Sequence, residues 1–300
     1  MSNRNFSKAK AREAGQGYVF MSPTLLVLLL FIIGPILYAI FLAFHKVQLL
    51  GAADFQYVGF DNFTKIMNDE KAKIALWNTF KYVIIVVPVQ TILALVLAAT
   101  LNAGIKGQKF FRIIYFLPTL TSSAVLTLIF MWMYNQNGLF NKFLSIFGLP
   151  GYNWIGDPSI ALNAIMMMNI WSTAPFYMVI YLAALQDIPE SLYEAAELDG
   201  ANVFQKFLFI TVPNLRPVTS FVVIMGLIGT FQLFDQSYIF SGGSGGPNNS
   251  TLTVVLLIYQ YAFKSMGTMG YAAAIAFALA IVILIATLIQ RKFSKEESLY

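Results

Sequence analysis

The apolar positions of this chain come in long unbroken runs rather than in stripes. Residues 18–44, 77–101, 113–134, 160–185, 217–240 and 266–289 are nearly free of charge. At about 1.5 Å per residue each is long enough to cross a hydrocarbon layer about 30 Å thick. A seventh run, 251–263, reaches only about 20 Å at that rise and is expected to be interfacial or re-entrant. A transmembrane barrel would show alternating segments of about ten residues, and these runs do not alternate. The pattern predicts an all-α integral membrane protein with six transmembrane helices. Pro23, Pro35 and Pro88 fall inside the runs, where protein neighbours can satisfy the backbone groups they free.

The polar segments between the runs set the orientation. Residues 1–17 carry Arg4, Lys8, Lys10 and Arg12 against Glu13, and the run that follows is too long for a signal-peptide core, so it reads as an uncleaved first span. With the N-terminus inside, the inner segments also hold Lys106, Lys109, Arg112, Lys206, Arg216, Arg291, Lys292 and Lys295. The outer loops hold Lys46, Lys65, Lys71, Lys73, Lys142 and Lys264. Twelve inner basic residues against six outer ones favour both termini inside (N-in/C-in). The expected organisation is a cytoplasmic segment 1–17, a six-span domain 18–290 with a cytoplasmic loop at 186–216, and a cytoplasmic tail 291–300. The outer loop 135–159 offers Phe143, Phe147, Tyr152 and Trp154 to the membrane interface.

Composition agrees. Hydrophobic residues make up 58% and charged residues 11% of the chain, with mean hydropathy +0.69, whereas soluble domains average about 25% charged. Without cysteine there is no disulfide and no thiolate site. The single histidine, His45, ends the first run and reads as an interfacial residue.

Catalytic chemistry is hard to assemble from what remains. No stretch matches Gly-x-x-x-x-Gly-Lys-Ser/Thr, and the glycines at 242–247 read as a flexible outer loop. No cluster has metal-ligand spacing, and no nucleophile–base pair can be built around one external histidine. The chain is therefore not expected to be an enzyme, and uphill transport would draw on an ion gradient or another subunit. Asp235 is the one acid well inside an apolar run, with Gln232 one turn away and Tyr238 just beyond. It reads equally as a packing carboxylate or as a lining residue. In the fourth run Asn169, Ser172 and Thr173 fall on one helical face beside Trp171. They suit interhelical hydrogen bonding or an uncharged polyhydroxylated ligand. Met131, Met133 and Met166–Met168 read as packing.

The segment 186–216 is acidic and patterned. Pro189 ends the fourth helix, Asp187 is a candidate cap, and Glu190 suits the first turn of a short helix. Gly200 permits a left-handed turn, and Phe204, Phe207 and Ile210 follow before Pro213. Two short helices at an angle could dock a soluble partner or merely pack on their own spans.

Glu194-Ala195-Ala196, Gly200, Ile210 and Pro213 resemble the EAA loop, E-A-A-x3-G-x9-I-x-L-P, of binding-protein-dependent ABC importer permeases, with Val212 replacing Leu. Asp61-Asn62-Phe63, Asn78-Thr79, Phe116-Leu117-Pro118, Asp187-Ile188-Pro189 and Gly245-Gly246-Pro247 extend the likeness to the carbohydrate branch, MalF/UgpA-type, with a MetI-like fold. The resemblance implies a multi-pass subunit of a bacterial-type plasma (inner) membrane. It implies a heterodimer with a second homologous permease, two cytoplasmic ATPase subunits that bind Mg-ATP, and an external solute-binding protein. The cargo would be a sugar, in the first place an oligosaccharide. No cofactor in this chain and no nucleic-acid partner are expected. Glu194, Ala195, Ala196, Asp199, Gly200, Phe204 and Phe207 are the implied coupling residues. The substrate path is expected at Asn169, Trp171, Ser172, Thr173, Gln232, Asp235 and Tyr238. Glycerol-3-phosphate, another small polar solute, or a stand-alone secondary carrier are the alternatives.

Overall fold

A computed structural model describes residues 2–48, 54–104 and 106–296. Residues 297–300 of the expected tail, Ile105 of the basic turn and residues 49–53 of the first outer loop lie outside the described residues. Among the described residues five helices are long and apolar enough to cross a membrane, or six if one sharply bent pair is a single span. The chain divides into two compact units. One comprises residues up to Thr64 with Tyr261–Phe277; the other comprises Lys65–Gln260 and the residues from Ala278 onward.

The first unit is dominated by α1 (Ser2–Leu28) and α2 (Gly34–Ala43), joined through the π turn Leu29–Ile33. Pro35 supplies no N–H to the ladder, and the wider turn sits just before it. Most of the apolar side chains from Tyr18 to Phe41 are exposed, as a lipid-facing helix requires. The stretch expected as a plain loop is instead a short antiparallel hairpin, β1 (His45–Gln48) with β2 (Asp54–Tyr57), followed by α3 (Asp61–Asn68). Asn62 Nδ2 donates to the carbonyls of Ala43 (2.9 Å) and His45 (3.2 Å), serving acceptors left free where α2 ends. His45 stacks on Phe41 with centroids 3.9 Å apart, and Phe44 meets Phe60 edge-on.

The second unit is built on α4 (Glu70–Asn102). Asp69 caps it, accepting from Lys71 N at 2.9 Å. The helix therefore begins before the apolar run does.

Next in the chain comes the first large correction. The run 113–134 is not one helix. It folds as α5 (Gln108–Phe116), a 3₁₀ turn at Leu117–Leu120 and α6 (Ser123–Met133), bent by 101°. Pro118 lies in the turn and the backbone of Thr121 is extended, so the hydrogen-bond ladder cannot run through.

α7 (Leu139–Ile146) lies in the following loop, where Asn141 acts as a clasp. Its Oδ1 accepts from Tyr152 N (3.0 Å) and Trp154 Nε1 (2.9 Å). Its Nδ2 donates to Gln136 O and Tyr152 O. Trp154 is thereby stacked on Tyr134, inside an aromatic cluster, while Phe143 and Phe147 stay exposed. At the loop's end the Ser159 hydroxyl and N–H bond the Asp157 carboxylate and hold it below its usual pKa.

α8 (Ala161–Gln186) packs lengthwise on α4. Ala94, Ala98 and Ala174 are fully buried, and side chains this small let membrane helices approach closely. Two apolar clusters form. One joins Tyr82, Val86, Phe130, Ile165 and Met168; the other joins Ala94, Ala98, Met178, Tyr181 and Leu182. Met166 and Met168 are in the first cluster and Met131 packs against it.

The second correction concerns the fifth run. α12 (Arg216–Phe231) ends at Gln232, and α13 (Asp235–Phe240) starts after Phe234, whose φ/ψ of −130/−62 is not helical. Thr253 Oγ1 donates to Leu233 O at 2.8 Å, replacing one ladder bond that the break removes. Such a break is tolerated where protein or a cavity surrounds it.

The third correction is to the outer glycine loop, which is pinned rather than flexible. Asn78 Nδ2 donates to Asn249 O (2.8 Å) and Leu252 O (3.0 Å). Ser237 Oγ donates to Thr251 O, and Gly245 N donates to Ser241 Oγ. The seventh run follows as α14 (Val254–Tyr259) and a π turn, Gln260–Lys264. Leu252, Thr253, Val254, Leu256 and Leu257 are buried, and Thr79 Oγ1 accepts from Val254 N. The first half of the segment is thus packed inside the protein, while Phe263 at its end is exposed. α15 (Met269–Glu296) is the last element among the described residues.

Candidate functional site

Between the two apolar clusters α4 and α8 change character. On α4 the buried series passes from Tyr82 and Val86 through Gln90 to Ala94 and Ala98; on α8 it passes from Ile165 and Met168 through Asn169 to Met178. Here, against the broken α12–α13 stretch, lies a cavity of ≈ 220 Å³. It is lined by Gln90, Asn169, Thr173, Tyr177, Gly226, Gly229, Thr230, Gln232, Leu233, Phe234, Asp235 and Gln236. Seven of these twelve residues carry a hydroxyl or an amide, and among the described residues Asp235 is the one formally charged group in the lining, with neither Lys nor Arg. Neutral donors and acceptors grouped this way suit a ligand rich in hydroxyls.

Asn169 and Thr173 both line the cavity, as their spacing of four implies. Thr173 Oγ1 lies 2.8 Å from Asn169 O and 2.8 Å from Gln90 Oε1. Ser172 does not line the cavity; its hydroxyl back-bonds to Asn169 O at 3.0 Å. Trp171 is turned away into an apolar groove of ≈ 560 Å³ with Leu117, Phe130 and Met167. Gln232 and Asp235 both line the cavity, but not because they share a helical face: the break falls between them and turns both inward. Tyr238 stands behind Phe234 (5.4 Å) and against Tyr259 (5.3 Å), one layer from the cavity.

Gln90, Tyr177, Thr230 and Gln236 were not anticipated. Gln90 had a legible signal, since an amide deep in an apolar run is costly and calls for a role. Thr230 had none, because its hydroxyl simply donates to Gly226 O.

The second candidate region is the segment after α8. Asp187 terminates α8 instead of capping the next helix, and Pro189 occupies the N-cap of α9 (Glu190–Leu198). Gly200 has φ +80, the left-handed conformation that lets Ala201 N return to Ala196 O at 2.9 Å. Asn202 and Gln205 then form a reciprocal capping box that starts α10 (Val203–Lys206). A π turn, Phe207–Thr211, and α11 (Val212–Asn214) follow. Pro213 does not stop the helix here; it sits in the first turn of α11, where no N–H is needed.

Tyr193 OH and Thr211 Oγ1, 2.9 Å apart, tie the two arms of this elbow. Lys206 reaches Glu197 at 3.1 Å, a pair too exposed to contribute more than about 1 kcal/mol. Glu194, Ala195, Asp199, Gly200 and Phe204 are exposed, while Ala196 and Phe207 are half-buried. At the bend Leu198 (91%), Val203 (81%) and Phe204 (68%) leave apolar side chains uncovered. Together they leave an exposed apolar patch on a short, hydrogen-bonded element.

A family model described as the inner membrane component of binding-protein-dependent transport systems matches residues 90–297. The lactose transport system permease protein LacF of Rhizobium radiobacter is 33% identical over 99% of this chain and 99% of its own. The trehalose/maltose transport system permease protein MalF of Thermococcus litoralis is 34% identical over 98% and 99%. Among solved structures, a chain of a bacterial ABC transporter that imports the acidic polysaccharide alginate superposes with a TM-score of 0.80 at 23% identity, covering 98% of this chain and 99% of that one. A bacterial alginate ABC transporter in complex with a pentasaccharide-bound periplasmic protein gives 0.79 at 22%, covering 97% and 96%. The likeness gives the chain the MetI-like fold of ABC importer permeases, as the EAA spacing implied.

Proposed function

The chain belongs to the family of binding-protein-dependent transport system inner membrane components, and on that premise we propose that it is the permease subunit through which an ATP-driven importer passes a sugar. The observation that carries this reading is the elbow. It presents Leu198, Val203 and Phe204 to solvent on a hydrogen-bonded frame.

An ATPase subunit seated on that patch would move the elbow as a unit, and α8 and α12 run directly from it to the cavity walls. Closure of an ATPase pair binding Mg-ATP would thereby switch which side the cavity opens to. The excess of basic residues on the elbow side supports a cytoplasmic elbow with both termini on the same side. A second, homologous permease would complete the pathway as a heterodimer, and an external binding protein would deliver the cargo; the lipid bilayer covers the remaining apolar faces. Relatives named for lactose and trehalose/maltose transport point to a di- or oligosaccharide. A cavity holding an acid and no Lys or Arg suits a neutral sugar better than a phosphate ester such as glycerol-3-phosphate. A bacterial-type plasma (inner) membrane, crossed several times, is the location this reading expects.

Affinity purification of the tagged chain in mild detergent, with the co-purifying proteins identified, tests the assembly. A second permease and an ATPase should appear in the ratio of one permease partner to two ATPase copies. Recovery of a homodimer with no ATPase would refute it.

A further inference from the structure

The sequence locates the polar lining on α8 and the α12–α13 break, but the third wall, α4, contributes one polar side chain of its own. Gln90 is 1% exposed. Its Oε1 accepts from Thr173 at 2.8 Å, while its Nε2 has no hydrogen-bond partner among the described residues and is shielded from solvent. A buried amide donor left unsatisfied costs about 1–3 kcal/mol, so its place in an apolar span needs a compensating use.

We propose that Gln90 is a cargo-reading residue that swings from Thr173 onto a hydroxyl of the transported sugar, an inference that rests on the sugar-importer reading above. The Thr173 hydroxyl has one proton and two acceptors at the same 2.8 Å distance, Gln90 Oε1 and Asn169 O. Thr173 can therefore turn its proton to Asn169 O and release Gln90 without losing its own hydrogen bond. The amide rests against Gly226, where a Cβ would stand 2.6 Å from Nε2. Gly229, one turn on, has nothing within 4 Å of where its Cβ would be. The missing side chain at Gly226 leaves the amide the room it occupies and turns in. Once turned, Nε2 donates to a hydroxyl or ring oxygen and Oε1 accepts from a hydroxyl, the paired pattern a polyol offers. The Nε2 deficit then vanishes only when cargo is present. Binding a sugar and satisfying the cavity become the same event.

The test uses the complete transporter in proteoliposomes: this chain, its partner permease, the ATPases and the binding protein. Maltose, trehalose and lactose serve as probes, followed by monodeoxy derivatives of whichever sugar enters fastest. Gln90→Met keeps length and bulk but removes both the donor and the acceptor of the amide. Compared with the parent and using the same binding protein, it should raise KM about tenfold with little change in maximal rate per assembled complex. At one deoxy position the parent should lose rate and Gln90→Met should lose nothing further, because the same contact has already gone. If Gln90→Met does not assemble, Gln90→Glu, equal in shape but with the donor replaced, carries the same expectation. An unchanged KM, or a deoxy profile identical to that of the parent, overturns the role given to Gln90. A parent complex that imports none of the three sugars overturns the sugar reading itself, which is a different result.

Discussion

Replacing Gly200 with valine should cut ATP-driven uptake at least tenfold while leaving the amount of chain in the membrane unchanged. Gly200 sits at φ +80, where a β-branched residue pays about 1–3 kcal/mol of backbone strain. A strain of about 1.4 kcal/mol is worth a factor of ten in an equilibrium. A Cβ there would meet nothing within 4 Å, so the penalty arises from the backbone and not from a clash. To relieve it the turn must open, breaking the return of Ala201 N to Ala196 O and separating Leu198 from Val203 and Phe204. The spans are untouched, so insertion should proceed. Gly200→Asn is the informative companion, because asparagine enters the left-handed region far more readily. It should retain most of the uptake. Uptake assays normalised to immunoblotted chain distinguish the two, and equal losses for Val and Asn would mean that some property other than the turn matters.

The second large effect is expected at Asn169. It is 8% exposed, it lines the cavity, and its side-chain amide makes no hydrogen bond to any described residue. Asn169→Leu therefore removes nothing that holds the fold together, and the two side chains are close in size. What it removes is a donor and an acceptor facing the cargo, worth about 1–3 kcal/mol when a polar ligand must otherwise be left unpaired. KM should rise roughly tenfold or more, and the thermal unfolding midpoint of the detergent-solubilised complex should stay within about 2 °C of the parent, as expected of a substitution without a named structural loss. A lowered midpoint with unchanged KM would reassign Asn169 to packing.

Most of the spans, their order and the elbow's turn were legible because each depends on local chemistry. A run of about twenty apolar residues needs no partner to declare itself, and Gly200 marks a turn by conformational freedom alone. The cavity was legible only in part. Asn169 and Thr173 follow from helical spacing, which α8 obeys throughout. Gln232 and Asp235 reach the same cavity through a broken helix, and spacing rules for a continuous helix cannot anticipate that. Trp171 failed for the opposite reason: it keeps its helical position, two residues along from Asn169, and so points to another face. The bend at Pro118 was visible as a proline, yet its angle of 101° depends on how α6 packs, not on the run itself. The glycine loop misled most. Its composition reads as flexible, but Asn78, 170 or so positions away in sequence, fastens it at Asn249 and Leu252. A restraint of that range leaves no trace in the loop's own residues.

The proposed function makes this chain a conduit driven from outside itself, by ATPases at the elbow and a binding protein at the opposite face. The most direct measurement is accumulation of radiolabelled maltose, trehalose or lactose in proteoliposomes containing the full complex. ATP is supplied only on the elbow side and binding protein only on the other. Accumulation above the external concentration should require both additions and stop when either is withheld. Accumulation by the purified chain alone, driven by a proton or sodium gradient without ATP, would contradict the account.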